Sequence, residues 1–229
     1  MNTRDSIDFN EVLELSETRT KQDIKKLHLY NKCIKRFLDI ILSFIALVLL
    51  SPVFLIIAIC IKIESKGPIF FVHKRVGKNG KTIELYKFRS MVPNAEDLIK
   101  QFTPEQMKEF KENFKLENDP RITKIGKILR KTSLDELPQL ANILKGDLSI
   151  IGPRPVIGEE LEKYGENKEK FLSVTPGLTG YWAANGRSCT SYEKRMEMEL
   201  YYIDNLSWKM DIKIFFKTIL SVIKREGAK

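Results

Sequence analysis

Cysteine is scarce and unpatterned in this chain. Cys33, Cys60 and Cys189 are the only three in 229 residues. An odd number at wide spacing excludes a disulfide framework, and no pair has zinc-ligand spacing. Cys60 falls inside an apolar run and reads as a small hydrophobe. This usage suits a reducing, cytoplasmic compartment. Acidic side chains are in deficit, with 30 Asp and Glu against 39 Lys and Arg, for a net charge of +9. Such a surplus calls for an anionic partner. The basic residues are not interleaved with aromatics as in RNA- or DNA-binding modules, so no nucleic acid is expected. No secretory signal is expected either, because residues 1–30 are polar and charged.

One long apolar run is present. From Phe37 to Ile61 it reads FLDIILSFIALVLLSPVFLIIAICI, with Ser51-Pro52 inside it. A straight helix of ~20 apolar residues crosses a bilayer. A proline removes one i→i−4 hydrogen bond and crowds the preceding turn, so a break is expected at Ser51 and Pro52. The arm before it is then ~22 Å long at ~1.5 Å per residue, short of a ~30 Å hydrocarbon core. Lys32, Lys35 and Arg36 precede the run, and Lys62 and Lys66 follow it. Lys and Arg favour the cytoplasmic side, and here both ends are basic. A hairpin that enters the membrane and returns explains both observations. The alternative is a kinked single-span anchor.

Beyond the run, IFFVHKRVG and KTIELYKFRSM flank Lys78-Asn79-Gly80. Asn-Gly between β-rich segments predicts a hairpin of Ile69–Val76 with Thr82–Phe88. Pro93–Glu117 is charged and helix-prone, and Arg121–Arg130 has a ragged helical stripe. In SLDELPQLANILKG, Ser133 and Glu136 have capping-box spacing. Leu137, Leu140, Ala141 and Leu144 then follow a helical period up to a Gly146 stop. Pro138 implies a distorted first turn or a start near Leu137. Ile151–Pro155 and Thr175–Gly180 read as loops. A helix over Trp208–Lys224 carries Ile212, Phe215, Phe216, Ile219, Leu220 and Ile223 on one stripe and lysines elsewhere. That pattern fits a membrane interface or a core-packed helix. In the tail, Asp8–Leu15 and Asp23–Leu27 suit short helices without chemistry.

Asp135-Glu136 is the acidic pair of interest. Carboxylates in a first turn also serve the helix dipole, and Glu136 has its capping role. The surroundings favour chemistry: Arg121, Lys124, Lys127, Arg130 and Lys131 precede the pair, and Lys145 and Arg154 follow. Carboxylates among cations near a lipid surface suit phosphoryl transfer with a divalent metal. Arg154 lies between Pro153 and Pro155, a stiff setting for a bidentate phosphate ligand or an exposed turn. Lys87 and Arg89 flank Phe88, as a second phosphate clamp or as a solvated strand face. Arg187 follows Asn185-Gly186 in a third loop.

Taken together, SLDELPQL, LKGDLSIIGPRP, YKFRSM, PGLTG and NGR in this order resemble the bacterial sugar transferase family, the monotopic polyprenyl-phosphate phosphoglycosyl transferases. The similarity runs from about Asn31 to Arg225. It implies transfer of a sugar 1-phosphate from a UDP-sugar to undecaprenyl phosphate, with UMP released, as the first membrane step of polysaccharide or glycoconjugate assembly. Asp135 matches the family's nucleophile, which becomes a covalent phosphosugar carrier. Glu136 matches its partner in metal or acid–base support. Asp135 would bind Mg²⁺, and Arg154 matches a phosphate-contacting arginine. Lys87, Arg89 and Arg187 are further candidate phosphate ligands. Where many relatives read Trp-Gln, this chain has Tyr181-Trp182-Ala183-Ala184, which leaves the sugar open.

The expected fold is α+β and predominantly α. It comprises a polar tail over 1–30, a re-entrant helix-break-helix hairpin over 31–66, and a cytoplasmic catalytic domain over 67–229 with a small β-hairpin and amphipathic interfacial helices. Anionic membrane lipids and a second copy of the chain join the substrates as expected partners. The rival function is a non-catalytic membrane-surface scaffold, which needs neither Asp135 nor Arg154. A polyprenyl-phosphate hydrolase is a second enzyme reading.

Overall fold

A computed structural model describes residues 30–113, 116, 119–186 and 190–223. The short tail helices expected at Asp8–Leu15 and Asp23–Leu27 lie outside the described residues, as does Arg187. The chain is mostly helical. A π-helical turn, Tyr30–Ile34, opens into α1, Lys35–Glu64. The antiparallel hairpin of β1, Phe70–Val76, and β2, Thr82–Phe88, follows. Then come α2, Ala95–Ile99, α3, Pro104–Asn113, and α4, Lys124–Thr132. A 3₁₀ turn, Leu134–Glu136, leads into α5, Gln139–Lys145. Strand β3, Ser149–Ile151, pairs in parallel with β4, Gly177–Thr179, around α6, Gly158–Glu162, and α7, Lys168–Leu172. Three helices finish the described chain: α8, Tyr181–Asn185, α9, Tyr192–Asp204, and α10, Trp208–Ile223.

The hairpin forms where Asn79-Gly80 predicts it. Asn79 and Gly80 both take positive φ, at 56° and 77°, the twist that a tight turn between right-twisted strands needs. Gly146 likewise ends α5 at φ 89°.

Three expectations need correction. The expected break at Ser51-Pro52 is absent, and α1 runs as one 30-residue helix with Pro52 inside it. Pro52 cannot donate to the carbonyl of Val48, four residues back. The Ser51 hydroxyl donates to that carbonyl instead, at 2.8 Å. The side chain replaces the missing bond, which is how prolines are tolerated in apolar helices. The capping box is also absent. Ser133 makes no side-chain cap; it sits at φ 57° and ends α4, while α5 starts only after Pro138. Asp135 and Glu136 therefore ride on a 3₁₀ turn, the distortion that Pro138 demands. Finally, the expected loops over Ile151–Pro155 and Thr175–Gly180 contain the β3–β4 pairing. Gly152 and Gly177 make it feasible, because a Cβ on Gly177 would lie 2.1 Å from the Gly152 nitrogen.

α1 is packed along its length. Ala46, Leu47 and Leu50 lie against Ile83, Leu85, Leu140, Ile143 and Leu148. Val53, Phe54, Ile57 and Ile61 lie against Phe88 and Leu129. Both ends are tied to the same body. Arg36 donates to the carbonyls of Ile143 and Leu144 at the end of α5, at 2.5 and 2.8 Å. Asp39 accepts from Ile150 N–H at 2.9 Å. At the far end, the Glu64 carboxylate accepts from the N–H groups of Lys124 and Ile125 at 2.6 and 3.1 Å, capping α4. The opposite face stays exposed and apolar, with Phe37, Phe44, Leu49, Leu55 and Ile63 among its residues.

The stripe on α10 also points outward. Trp208, Ile212, Phe216, Ile219 and Leu220 are exposed, while Asp211, Ile214 and Ser221 face inward. Of the expected stripe, Ile212, Phe216, Ile219 and Leu220 are therefore not core packing, while Phe215 packs against the cluster of Tyr202 and Ile214. Lys35 and Tyr30 bond to Asp211, with the Tyr30 hydroxyl at 2.9 Å, so α10 is joined to the start of α1. A water-soluble monomer rarely exposes so much contiguous apolar surface.

Candidate active site

The site begins with the hairpin register. Arg75 lies opposite Ile83, His73 opposite Leu85 and Phe71 opposite Lys87. Opposed residues share a face, and so do residues two apart. Arg75, Leu85 and Lys87 accordingly line one cleft, with Glu136, Gln139, Arg154, Trp182 and Glu199 on its other walls.

The Asp135-Glu136 turn is held against β2 by α5. Asn142 is fully buried; its amide donates to the carbonyl of Glu84 at 2.6 Å and its oxygen accepts from Tyr86 N–H at 3.0 Å. This brings Lys87 to the turn, and its ammonium lies 2.6 Å from Glu136 Oε1. Asp135 is 9% exposed. Burial and the Glu136 charge push its pKa up to about 6, against the pull of Lys87 and Arg130. At neutral pH it is still mostly the carboxylate. The turn thus carries a carboxylate with little solvation.

Arg154 is fixed through its backbone. Its N–H donates to Glu199 Oε1 at 3.1 Å, and its guanidinium stands over the Trp182 ring, 5.8 Å from the centroid. Among the described residues it forms no ion pair, so the fork is available to an anion. Arg75 lies at the same wall, 3.8 Å from Glu160, and burial with the Arg154 charge lowers its pKa to about 10. Burial and the charges of Arg75 and Lys87 drive His73 down to about 4, so it is neutral. The cleft is thus lined by the cations Arg75, Lys87 and Arg154, with Glu136 among its other lining residues.

Arg89 is not brought to the cleft. Its guanidinium donates to the carbonyls of Ser65 and Lys66 at 2.8 and 3.1 Å and to the Ser65 hydroxyl at 2.9 Å. At 6% exposure it anchors the loop after α1. It continues the alternation of Lys87 but lies past the end of β2, where the strand geometry no longer directs it. The sequence reading overlooked Arg75 and Glu199. Strand alternation from Lys87, carried across the hairpin, points to Arg75. No sequence signal points to Glu199, which arrives from α9.

The carboxylates bear on the expected Mg²⁺. Among the described residues no group of three or more His, Cys, Asp or Glu is assembled to hold a metal. Asp135 with Glu136 is a two-carboxylate set. That fits Mg²⁺, which takes one or two carboxylates and completes its shell with water and substrate phosphate.

Comparison with known proteins gives this arrangement a context. The family model described as bacterial sugar transferase matches residues 30–225. The chain is 43% identical over 202 residues to the undecaprenyl-phosphate galactose phosphotransferase of Salmonella typhimurium, covering 86% of this chain and 42% of that protein. It is 43% identical over 197 residues to the exopolysaccharide production protein ExoY of Sinorhizobium fredii, covering 85% and 87%. It is 40% identical over 207 residues to the UDP-glucose:undecaprenyl-phosphate glucose-1-phosphate transferase of Escherichia coli, covering 86% and 42%. The chain therefore spans less than half of the Salmonella and Escherichia proteins and most of ExoY.

Proposed function

This chain belongs to the bacterial sugar transferase family, and we propose that it transfers a sugar 1-phosphate from a UDP-sugar to undecaprenyl phosphate at the cytoplasmic membrane face. The observation that carries the reading is the Asp135-Glu136 turn, whose Glu136 lines the cationic cleft paired with Lys87 and whose Asp135 is a buried carboxylate. Arg154, Lys87 and Arg75 bind the diphosphate. An Asp135 oxygen attacks the sugar-bearing phosphorus, the bond to the bridging oxygen breaks, and UMP leaves with that oxygen. The sugar phosphate stays on Asp135. A phosphate oxygen of undecaprenyl phosphate then attacks the same phosphorus and restores the carboxylate. Splitting one displacement into two lets two anionic substrates use one site in turn. Mg²⁺ held by Asp135 and the diphosphate oxygens would neutralise charge that otherwise repels the nucleophile.

In this reading the membrane element lies within residues 31–66 and the catalytic domain follows from residue 67. The attachment of both ends of α1 to one polar body supports a monotopic placement. A fully spanning helix would leave those ends on opposite sides of the bilayer. The exposed faces of α1 and α10 supply the apolar surface, and the net charge of +9 suits anionic lipid headgroups. A non-catalytic scaffold would account for the apolar faces but not for a costly buried carboxylate on a turn paired to Lys87.

The test is a burst. Enzyme with a UDP-sugar and Mg²⁺, without lipid acceptor, should release about one UMP per site and keep the sugar phosphate on Asp135. UMP release that requires lipid, with intersecting steady-state lines, would mean direct transfer.

A further inference from the structure

Glu199 has no part in the chemistry above, yet it stands in the cleft. It is 1% exposed and lies on the wall with Gly180 and Trp182. Its Oε1 accepts from Arg154 N–H. Its Oε2 is buried and has no hydrogen-bond partner among the described residues. The neighbouring guanidinium groups do not relieve it, since Arg75 and Arg195 lean on Glu160 at 3.8 and 3.4 Å. A buried polar atom left unpaired costs ~1–3 kcal/mol, and folded proteins seldom keep such atoms without a use.

Gly180 lies beside Oε2, and the close approach of the Gly152 carbonyl is what requires a glycine there. A Cβ on Gly180 would stand 3.9 Å from Oε2 and 2.1 Å from the Gly152 carbonyl oxygen. Burial lifts the Glu199 carboxyl to about 7, and as the carboxylate Oε2 is an acceptor only. A phosphate oxygen does not suit it. Phosphates are anionic acceptors, and the cations Lys87 and Arg154 compete for them. What suits Oε2 is an uncharged group with a hydrogen to give.

We propose that Glu199 Oε2 is a recognition group for the donor substrate, hydrogen-bonding an O–H or N–H of the nucleotide sugar while the cleft's cations hold its phosphates. The donating group is a sugar hydroxyl or the ring N–H of the base. The inference rests on the reading of the cleft as a nucleotide-sugar site. A site built to bond a substrate donor rejects analogues lacking it far more strongly than an apolar pocket does.

Glu199→Gln tests it. The amide keeps the shape and still offers an oxygen to Arg154 N–H, but it replaces Oε2 with an NH₂ that opposes a donor. UMP release from UDP-glucose, UDP-galactose and UDP-N-acetylglucosamine is measured in the full chain, together with inhibition by UMP. We expect kcat/KM to fall roughly 10- to 100-fold, mainly through KM. A loss that differs among sugars, with UMP inhibition unchanged, assigns the bond to the sugar. An equal loss for all three, with UMP inhibition weakened alike, assigns it to the base. Unchanged KM and UMP inhibition overturn the proposal, including the case where only kcat falls and Glu199 merely positions Arg154. Glu199→Asp, which withdraws the carboxyl by one carbon, is read by the same criteria if the glutamine variant does not fold. Wild-type protein that releases no UMP from any UDP-sugar overturns the functional reading and this proposal together. A variant equal to an active wild type overturns this proposal alone.

Discussion

Lys87 Nζ lies 2.6 Å from Glu136 Oε1, joining the end of β2 to the turn that carries Asp135. The two residues are 49 positions apart in sequence. The pair sets the charge balance at Asp135: Glu136 pushes the Asp135 carboxyl up, and Lys87 pulls it down.

Removing Lys87 should therefore be visible in the pH profile. Wild-type kcat/KM should fall as pH drops through about 6, where Asp135 gains a proton. In Lys87→Met the pull is lost, so the acid limb should move to higher pH and turnover at pH 7 should drop ~10-fold or more. An acid limb that stays in place would separate Lys87 from Asp135.

Asp135→Asn should abolish the UMP burst and yet stabilise the fold. The folded-state pKa is raised from 3.8 to about 6, so the native state holds this proton more tightly than the unfolded chain. Its favourable contribution is complete below about pH 4 and is lost as pH rises through 6, which leaves a net cost at neutral pH. The full displacement corresponds to at most ~3 kcal/mol. After allowance for solvent at the cleft, a gain of ~1–2 kcal/mol is expected at pH 7, with none at pH 4. Urea denaturation of detergent-solubilised protein at the two pH values measures it.

Arg154→Lys keeps the charge but loses the planar fork. Because the backbone N–H of residue 154 still meets Glu199, the loop should hold and Tm should not change. Activity should fall ~10- to 100-fold. Near-normal turnover in this variant would make Arg154 a structural turn residue.

The topology of α1 is testable by labelling. In protein with Cys60 and Cys189 replaced by serine, native Cys33 and a Lys66→Cys label should both react from the cytoplasmic side. Reaction from opposite faces would make α1 a spanning helix.

The Ser51 repair can be tested separately. Ser51→Ala strips the Val48 carbonyl of its partner and should cost ~1 kcal/mol, a fall in Tm of a few degrees. Adding Pro52→Leu restores a backbone donor for that carbonyl and should recover the loss. Additive destabilisation by the two changes would refute the repair.

Much of this molecule is local, and local features were legible. The Asn79-Gly80 turn, the Gly146 stop and the α10 stripe each follow from the conformational needs of a few adjacent residues. Other features depended on distant partners. Ser133 and Glu136 have capping-box spacing, but Pro138 pushes the start of α5 past them. Pro52 reads as a break until the neighbouring hydroxyl is seen on Val48. Lys87 and Arg89 look equivalent on paper; the strand ends between them, and one reaches the cleft while the other ties down the Ser65 loop.

The sequence by itself determined the family, the amphipathic surfaces and the identity of the acidic pair, because ordered motifs and residue periods are properties of the chain alone. Only the tertiary structure decided that Arg75 joins Lys87 and Arg154, and that Glu199 lines their cleft with a buried Oε2 that has no hydrogen-bond partner among the described residues. It also decided that α1 is clasped at both ends by one polar body. Those relationships are made by packing between residues far apart in sequence, where burial, register and charge are shared by several elements and encoded in none of them singly.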